Sequence, residues 1–193
     1  MKSLILAAIR SIAMLLILPW VISHKVWSPL VGVDVSLESH SQWVSLLPGT
    51  SGDWLRTAFY RWTLAECHPT VIVGFGALIS KAETRLAAHV YIGPRCILGL
   101  VTLEADVLLG PAVQIPSGPM THGIERLDVS IRSQPGQRQR ITVGRDSWIG
   151  GGSIVLADVQ QQTVVGAGSI VTKPTGPRVI VVGNPARPLA SRE

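Results

Sequence analysis

Between Ile141 and Val171, apolar β-branched residues recur at six-residue spacing: Val143, Ile149 and Val155, then Val165 and Val171. Glycine follows three of them, at Gly144, Gly150 and Gly166. This period fits neither the roughly 3.6-residue repeat of an amphipathic helix nor the alternation of a half-buried strand. It suits a parallel β-helix, in which each hexad is one short strand and one corner, with the branched residue pointing inward. Two ordinary strands joined by a glycine turn would not explain why the same period appears upstream, on Leu86, Ile92, Leu98, Leu103, Leu109 and Ile115. Val73 and Ile79 start that series. The step from Leu98 to Leu103 is one residue short, and Val159 follows Val155 early, so that the corner after Val155 is tight and its register open.

The pattern divides the chain. Residues 71–185 form the repeat domain, interrupted by a polar, basic loop over 116–140, and residues 186–193 are a C-terminal tail. Residues 28–70 are expected to hold a loop region and one short helix; 28–50 carry no clear periodicity. Asp53 is the expected N-cap of a helix over Trp54 to Glu66. Its apolar face would be Leu55, Ala58, Phe59 and Trp62, with Arg56 and Arg61 on the other side. A core-packing helix is the simpler reading, and a helix lying in a membrane headgroup region is the alternative. Residues 1–27 form a hydrophobic, membrane-associating segment. Leu4 to Ile22 are apolar apart from Arg10 and Ser11, and Pro19 implies a kink. No small-residue cleavage site follows, which argues against a signal peptide. Spanning the membrane, lying on it and packing on the domain all remain open for this stretch.

Composition narrows the partners. The chain has 193 residues, 47% hydrophobic and 15% charged, enough for one folded domain. A formal net charge of +5 favours an anionic partner. No nucleic-acid motif is present, so a nucleic-acid partner is not expected. Cys67 and Cys96 have neither metal-ligand spacing nor a disulfide framework. Cys96 lies on a repeat and reads as a small core residue.

The chemistry centres on His122, in Ser117-Gly-Pro-Met-Thr-His-Gly on the interrupting loop. A neutral imidazole can take a hydroxyl proton near neutral pH, and that oxygen can attack a thioester, with a backbone N–H stabilising the oxyanion. On spacing alone a solvated loop histidine is an equal reading. Glu125 could orient the ring or be a plain surface charge.

The two repeat blocks, with Trp148-Ile-Gly-Gly-Gly-Ser, Val165-Gly-Ala-Gly-Ser-Ile-Val-Thr-Lys and the ending Gly183-Asn-Pro-Ala-Arg, resemble the hexapeptide-repeat acyltransferases. The resemblance implies a mainly β chain: a left-handed parallel β-helix with an N-terminal helical segment, assembled as a homotrimer. Left-handedness comes from the family alone, since chain physics favours right-handed crossovers. The resemblance gives His122 the role of general base and makes acetyl-CoA the co-substrate, with no metal. It places the coenzyme against Trp148, Gly151 and Ala167, where small residues let the pantetheine approach the backbone. Thr172, Lys173 and Arg187, and more weakly Arg178, would meet its nucleotide end. Gln160-Gln161-Gln162 depart from the family pattern, which has a hydrophobic–glycine pair there.

Together with the apolar N-terminus and the Phe59-Tyr60-Arg61 helix, the resemblance points to an O-acetyltransferase of surface-polysaccharide or glycolipid biosynthesis. Its acceptor would be a saccharide hydroxyl, free or lipid-linked, and its place the cytoplasmic side of a membrane, the bacterial inner membrane. The alternatives are a non-catalytic β-helix scaffold and an acetyltransferase of a small non-sugar acceptor. A zinc β-helix hydratase would need three converging histidines, and the five here lack paired spacing.

Overall fold

The computed structural model describes residues 2–192. Met1 and Glu193, the outer ends of the 1–27 segment and of the tail, lie outside the described residues. Four helices come first: α1 (Lys2–Leu16), α2 (Leu18–Val31), α3 (Val33–Ser45) and α4 (Gly49–Thr63). Pro19 stands in the first turn of α2, where a helix tolerates its missing N–H. The apolar stretch therefore breaks after α1 and bends by 43°. Among the described residues no single helix is long and apolar enough to cross a membrane, while this bent pair matches one by length and composition.

Residues 28–50, without a clear pattern in the sequence, are mostly helical. The reason is visible on the inner face of α3, where Ser36, Ser41 and Ser45 are buried beside Leu37 and Val44. Serines in a helix core erase the apolar periodicity, and the structure keeps them by pairing each hydroxyl. Ser36 donates to the His24 carbonyl at 3.1 Å. Ser41 shares a 2.6 Å hydrogen bond with the Tyr60 hydroxyl and accepts the Ile79 N–H at 3.1 Å.

The helix expected over Trp54 to Glu66 is α4, but it starts at Gly49 with Pro48 as N-cap. Asp53 lies inside it and pairs with Arg56 instead of capping. The buried face is also rotated: Gly52, Arg56, Thr57, Phe59 and Tyr60 point inward, while Trp62 is 45% exposed. Arg56, expected outside, is fully buried. Its guanidinium donates to the Val73 carbonyl at 2.8 Å and to the Leu47 carbonyl. A buried cation is tolerable because it is paired and fully hydrogen-bonded, and here it clamps the helices to the first coil.

The repeats then wind as a parallel β-solenoid of about six turns. The first coil is β1 (Glu66–Cys67), β2 (Ile72–Val73) and β3 (Leu78–Ile79). The second is β4 (Arg85–Leu86), β5 (Tyr91–Ile92) and β6 (Ile97–Leu98), and the third β7 (Val101–Leu103), β8 (Leu108–Leu109) and β9 (Gln114–Ile115). After the loop come β10 (Ile141–Val143), β11 (Trp148–Ile149) and β12 (Ile154–Val155), then β13 (Val164–Val165) and β14 (Ile170–Val171). β15 (Val179–Gly183) extends the stack, and β16 (Ala186–Ser191) folds back on it antiparallel. The strands stack into three faces: A (β1-β4-β7-β10), B (β2-β5-β8-β11-β13-β15-β16) and C (β3-β6-β9-β12-β14).

Every repeat residue read from the sequence, from Val73 to Val171, is at most 1% exposed. A second inward position lies two residues earlier, and in several coils it is a hydroxyl. Thr84, Ser147, Ser153 and Thr163 each donate across to a carbonyl of the next coil, at 2.9–3.0 Å. These hydroxyls tie successive turns together without leaving a buried polar atom unpaired. The early Val159 is inward and bridges Val143 in parallel, so the tight corner re-enters face A with its register intact. The three glutamines after it form the corner between faces A and B, with Gln162 in the left-handed conformation that Asp106 and Asp146 adopt in earlier coils. They therefore lie on a different edge from Gly151 and Ala167.

Candidate active site

The loop over 116–140 leaves face C after β9 and returns to face A at β10. It is not a floppy excursion. Its two limbs pair antiparallel, with Gln139 N–H donating to the Ser117 carbonyl at 2.9 Å and Gln137 N–H to the Met120 carbonyl at 2.7 Å. Arg140 pins the returning limb to the Glu83 carbonyl at 2.7 Å, and Ser117, buried at the base, accepts the Leu100 N–H at 2.9 Å. At the tip, Gln134 is 7% exposed. Its carboxamide accepts the Arg126 N–H at 3.0 Å and donates to the Arg126 carbonyl at 2.8 Å.

His122 stands on the outgoing limb, exposed to solvent, at a cavity of about 330 Å³ lined by Met120, Glu125, Arg126, Pro135 and Gln137 among others. Two glycines bring the limbs together there. A Cβ on Gly136 would collide with the Thr121 carbonyl and sit 2.7 Å from the His122 nitrogen. One on Gly123 would sit 2.6 Å from the Pro135 carbonyl. Glu125 lines the same cavity without a hydrogen bond to His122. Arg126 is committed elsewhere: its ion pair with Asp128 holds that carboxyl below its ordinary range. Gln134, Gly123 and Gly136 were not legible as site residues; Gly123 directly after the loop histidine was a usable signal of close backbone approach, while Gly136, fourteen residues on, meets His122 only in the fold.

The other expected residues lie elsewhere. Gly151 and Ala167 meet on the B–C edge, one coil apart. The Gly168 N–H donates to the Gly151 carbonyl at 2.9 Å, and a Cβ on Gly150 would sit 2.5 Å from the Ala167 nitrogen. These contacts hold the two coils against each other, and the small residues Gly152 and Ala167 stand exposed at this corner. Trp148 points outward from face B, 53% exposed. Thr172 and Lys173 are exposed just past β14, on the C–A edge from which the loop departs two coils earlier. Arg187 is exposed on β16, donating to the Ala186 carbonyl at 3.1 Å, and Arg178 donates to the Gln162 side-chain oxygen at 3.1 Å at the A–B edge. Within one chain, therefore, Gly151 and Ala167 are brought together, while none of these residues lines the His122 cavity.

Cys96 offers no rival nucleophile. It is fully buried, and burial pushes its thiol up to about 11, leaving little reactive thiolate near neutral pH.

No family model matches the chain. Nodulation protein L of Rhizobium meliloti is 32% identical over 168 residues, covering 80% of this chain and 87% of that protein. Nodulation protein L of Rhizobium leguminosarum bv. viciae is 32% identical over 128 residues, covering 61% of this chain and 63% of that protein. Against several curated acetyltransferases the matched region spans less than half of their length. Among solved structures, a maltose O-acetyltransferase from Clostridium difficile superposes with a TM-score of 0.70 at 20% identity, covering 83% of this chain and 89% of that one. A hexapeptide-repeat acetyltransferase from Vibrio cholerae in complex with acetyl coenzyme A gives 0.63 at 21% identity, covering 86% and 92%. At that identity the likeness is one of fold, a left-handed parallel β-helix.

Proposed function

The chain belongs to the hexapeptide-repeat acyltransferases, and we propose that it moves the acetyl group of acetyl-CoA onto a saccharide hydroxyl, free or lipid-linked, in surface-polysaccharide or glycolipid biosynthesis. The observation that carries this reading is the solvent-open His122, held by paired loop limbs at a cavity large enough for a sugar ring. His122 takes the proton of the acceptor hydroxyl as its oxygen attacks the thioester carbonyl carbon. A backbone N–H meets the tetrahedral oxyanion, the C–S bond breaks, and the imidazolium returns the proton to the departing thiolate. The corner at Gly151 and Ala167 suits the pantetheine. Trp148, Thr172, Lys173 and Arg187 flank the rest of the coenzyme.

The reading includes a homotrimer. Ile72, Tyr91, Leu108, Trp148, Val164 and Ile180 stand in register up the outside of face B. The first four of these are 38–53% exposed, an apolar row that a monomer leaves in water. A neighbouring copy would cover it and bring a loop histidine to the other copy's coenzyme edge, giving three sites by cyclic closure. It also includes attachment to the cytoplasmic side of the bacterial inner membrane through residues 1–27, supported by the exposed apolar side chains of Leu4, Ile12, Leu15, Leu16, Trp20 and Ile22.

Incubation with labelled acetyl-CoA and a panel of saccharides, followed by location of the new ester, tests the activity. Label appearing as a sugar O-ester supports it. Coenzyme binding with no transfer to any saccharide overturns it in favour of a scaffold or a non-sugar acceptor.

A further inference from the structure

The groove between α1 and α4 has two compartments on either side of Trp54. The first, about 310 Å³, is closed by β2 and lined on the α1 side by Leu6, Arg10 and Met14, one helical turn apart, and on the α4 side by Arg61. The second, about 190 Å³, is lined by Ile9, Ile12 and Leu16 of the adjacent α1 face, with Leu55 opposite. Trp54 belongs to both linings. One compartment therefore carries two guanidinium groups on an apolar floor, and its neighbour is almost wholly apolar. Neither Arg10 nor Arg61 makes a salt bridge among the described residues, whereas Arg56, five residues before Arg61 on α4, is paired with Asp53.

We propose that this groove binds one molecule of an anionic membrane lipid, its phosphate held by Arg10 and Arg61 and its acyl chain laid past Trp54 into the apolar compartment. Charge complementarity argues for the occupant. Two planar donors without a carboxylate partner among the described residues match a phosphate, and the continuation into an apolar trough matches a chain instead of a soluble anion. The open flank is continuous with the exposed apolar side chains of α1 and α2, and tryptophan suits the depth at which a headgroup meets hydrocarbon. The arginine pair therefore gives the helical unit a preference for anionic lipid that the apolar face alone would lack. The inference rests on the membrane-facing reading of residues 1–27 for the source of the lipid.

The full chain is tested in two ways. First, co-sedimentation compares phosphatidylcholine vesicles with vesicles containing one-fifth phosphatidylglycerol. Wild-type protein is expected to bind the anionic vesicles roughly tenfold or more tightly, and the Arg10→Gln/Arg61→Gln variant to lose most of that preference while binding neutral vesicles unchanged. Lys25→Gln, which removes a charge from α2 outside the groove, should retain most of the preference. Equal loss in Lys25→Gln, or no loss in the double variant, overturns the site. Failure of wild-type protein to bind either vesicle overturns the membrane reading as well. Second, thermal unfolding without vesicles uses short-chain phosphatidic acid below its micellar concentration. It should raise Tm in the wild type and not in the double variant, and Met14→Trp, which fills the apolar floor but keeps both arginines, should weaken the shift. Equal stabilisation by inorganic phosphate would show a plain anion site and overturn the lipid assignment.

Discussion

The Gln134 carboxamide closes on both backbone groups of Arg126, accepting its N–H at 3.0 Å and donating to its carbonyl at 2.8 Å. This local clamp, with Gly136 packed against Thr121 and His122, fixes the limb that carries the imidazole. Gly136→Ala should therefore lower turnover by roughly tenfold to a hundredfold, since displacement of a catalytic group by about 1 Å has costs of that order. Tm should move little, because the loop stands outside the solenoid core. Gln134→Ala should act in the same direction more weakly and speed proteolytic cleavage within 116–140. Unchanged kcat in Gly136→Ala would show that the observed limb pairing does not hold the working position of His122.

His122→Ala should reduce turnover about 100-fold to 10,000-fold, the range of a positioned general base. Coenzyme A affinity should stay near wild type, because no expected coenzyme residue lines the His122 cavity. Single-turnover assays beside equilibrium coenzyme binding separate the two quantities. Wild-type turnover in the variant would remove His122 from the mechanism, and an acyl-Cys96 adduct would replace direct attack by a two-step route.

The solenoid was legible because its inward residues are bulky, aliphatic and regularly spaced, from Val73 through Val171. The residues two positions earlier were hidden, since Thr84, Ser147 and Ser153 look like surface hydroxyls until the coil-to-coil carbonyls that receive them are known. Within the helical unit, α3 and the inner face of α4 were hidden for the same reason: α3 buries three serines, and α4 buries Arg56, a residue that amphipathic reasoning sends outward. In each case a tertiary partner outweighs the polarity of the side chain. For the candidate site, the loop and its histidine were readable from length and placement. The antiparallel pairing of the limbs was not, because it rests on backbone hydrogen bonds that carry no side-chain signature.

Trp148, which also flanks the proposed coenzyme position, tests assembly through the concentration dependence of activity. Its indole stands outward beside Leu108 in the apolar row of face B, and its backbone pairs with that residue's strand. Trp148→Asp should place a carboxylate in the proposed subunit contact and shift light-scattering mass from trimer toward monomer. Because the proposed site needs two chains, activity should fall with the trimer fraction, and protein concentration should partly restore it. The fold should persist, since Ile149 and the inward ladder are untouched. A fully active monomer, of wild type or variant, would show that one chain suffices.

His24 makes stability depend on pH through the helical unit. Its ring is 5% exposed, and burial, reinforced by His40 and Lys25, lowers its pKa from the ordinary 6.5. The groups facing it are Ser36, whose hydroxyl meets Nδ1 at 3.0 Å, the His40 ring at 5.7 Å, the Phe59 ring at 6.4 Å and the Lys25 charge, and among the described residues no carboxylate pairs with it. The unfolded chain therefore binds the proton more tightly than the folded one, and stability rises with pH across this interval. The stabilisation is complete above the unfolded value of 6.5 and is lost as pH falls below it toward the lowered folded value. Tm measured from pH 7.5 to 5 should fall accordingly, and His24→Gln should flatten the slope while lowering Tm at pH 7.5. Far-ultraviolet circular dichroism should show the helical signal melting first under acid, because the β-coils after the first make few contacts with this unit. An unchanged slope in His24→Gln would assign the acid sensitivity to another group.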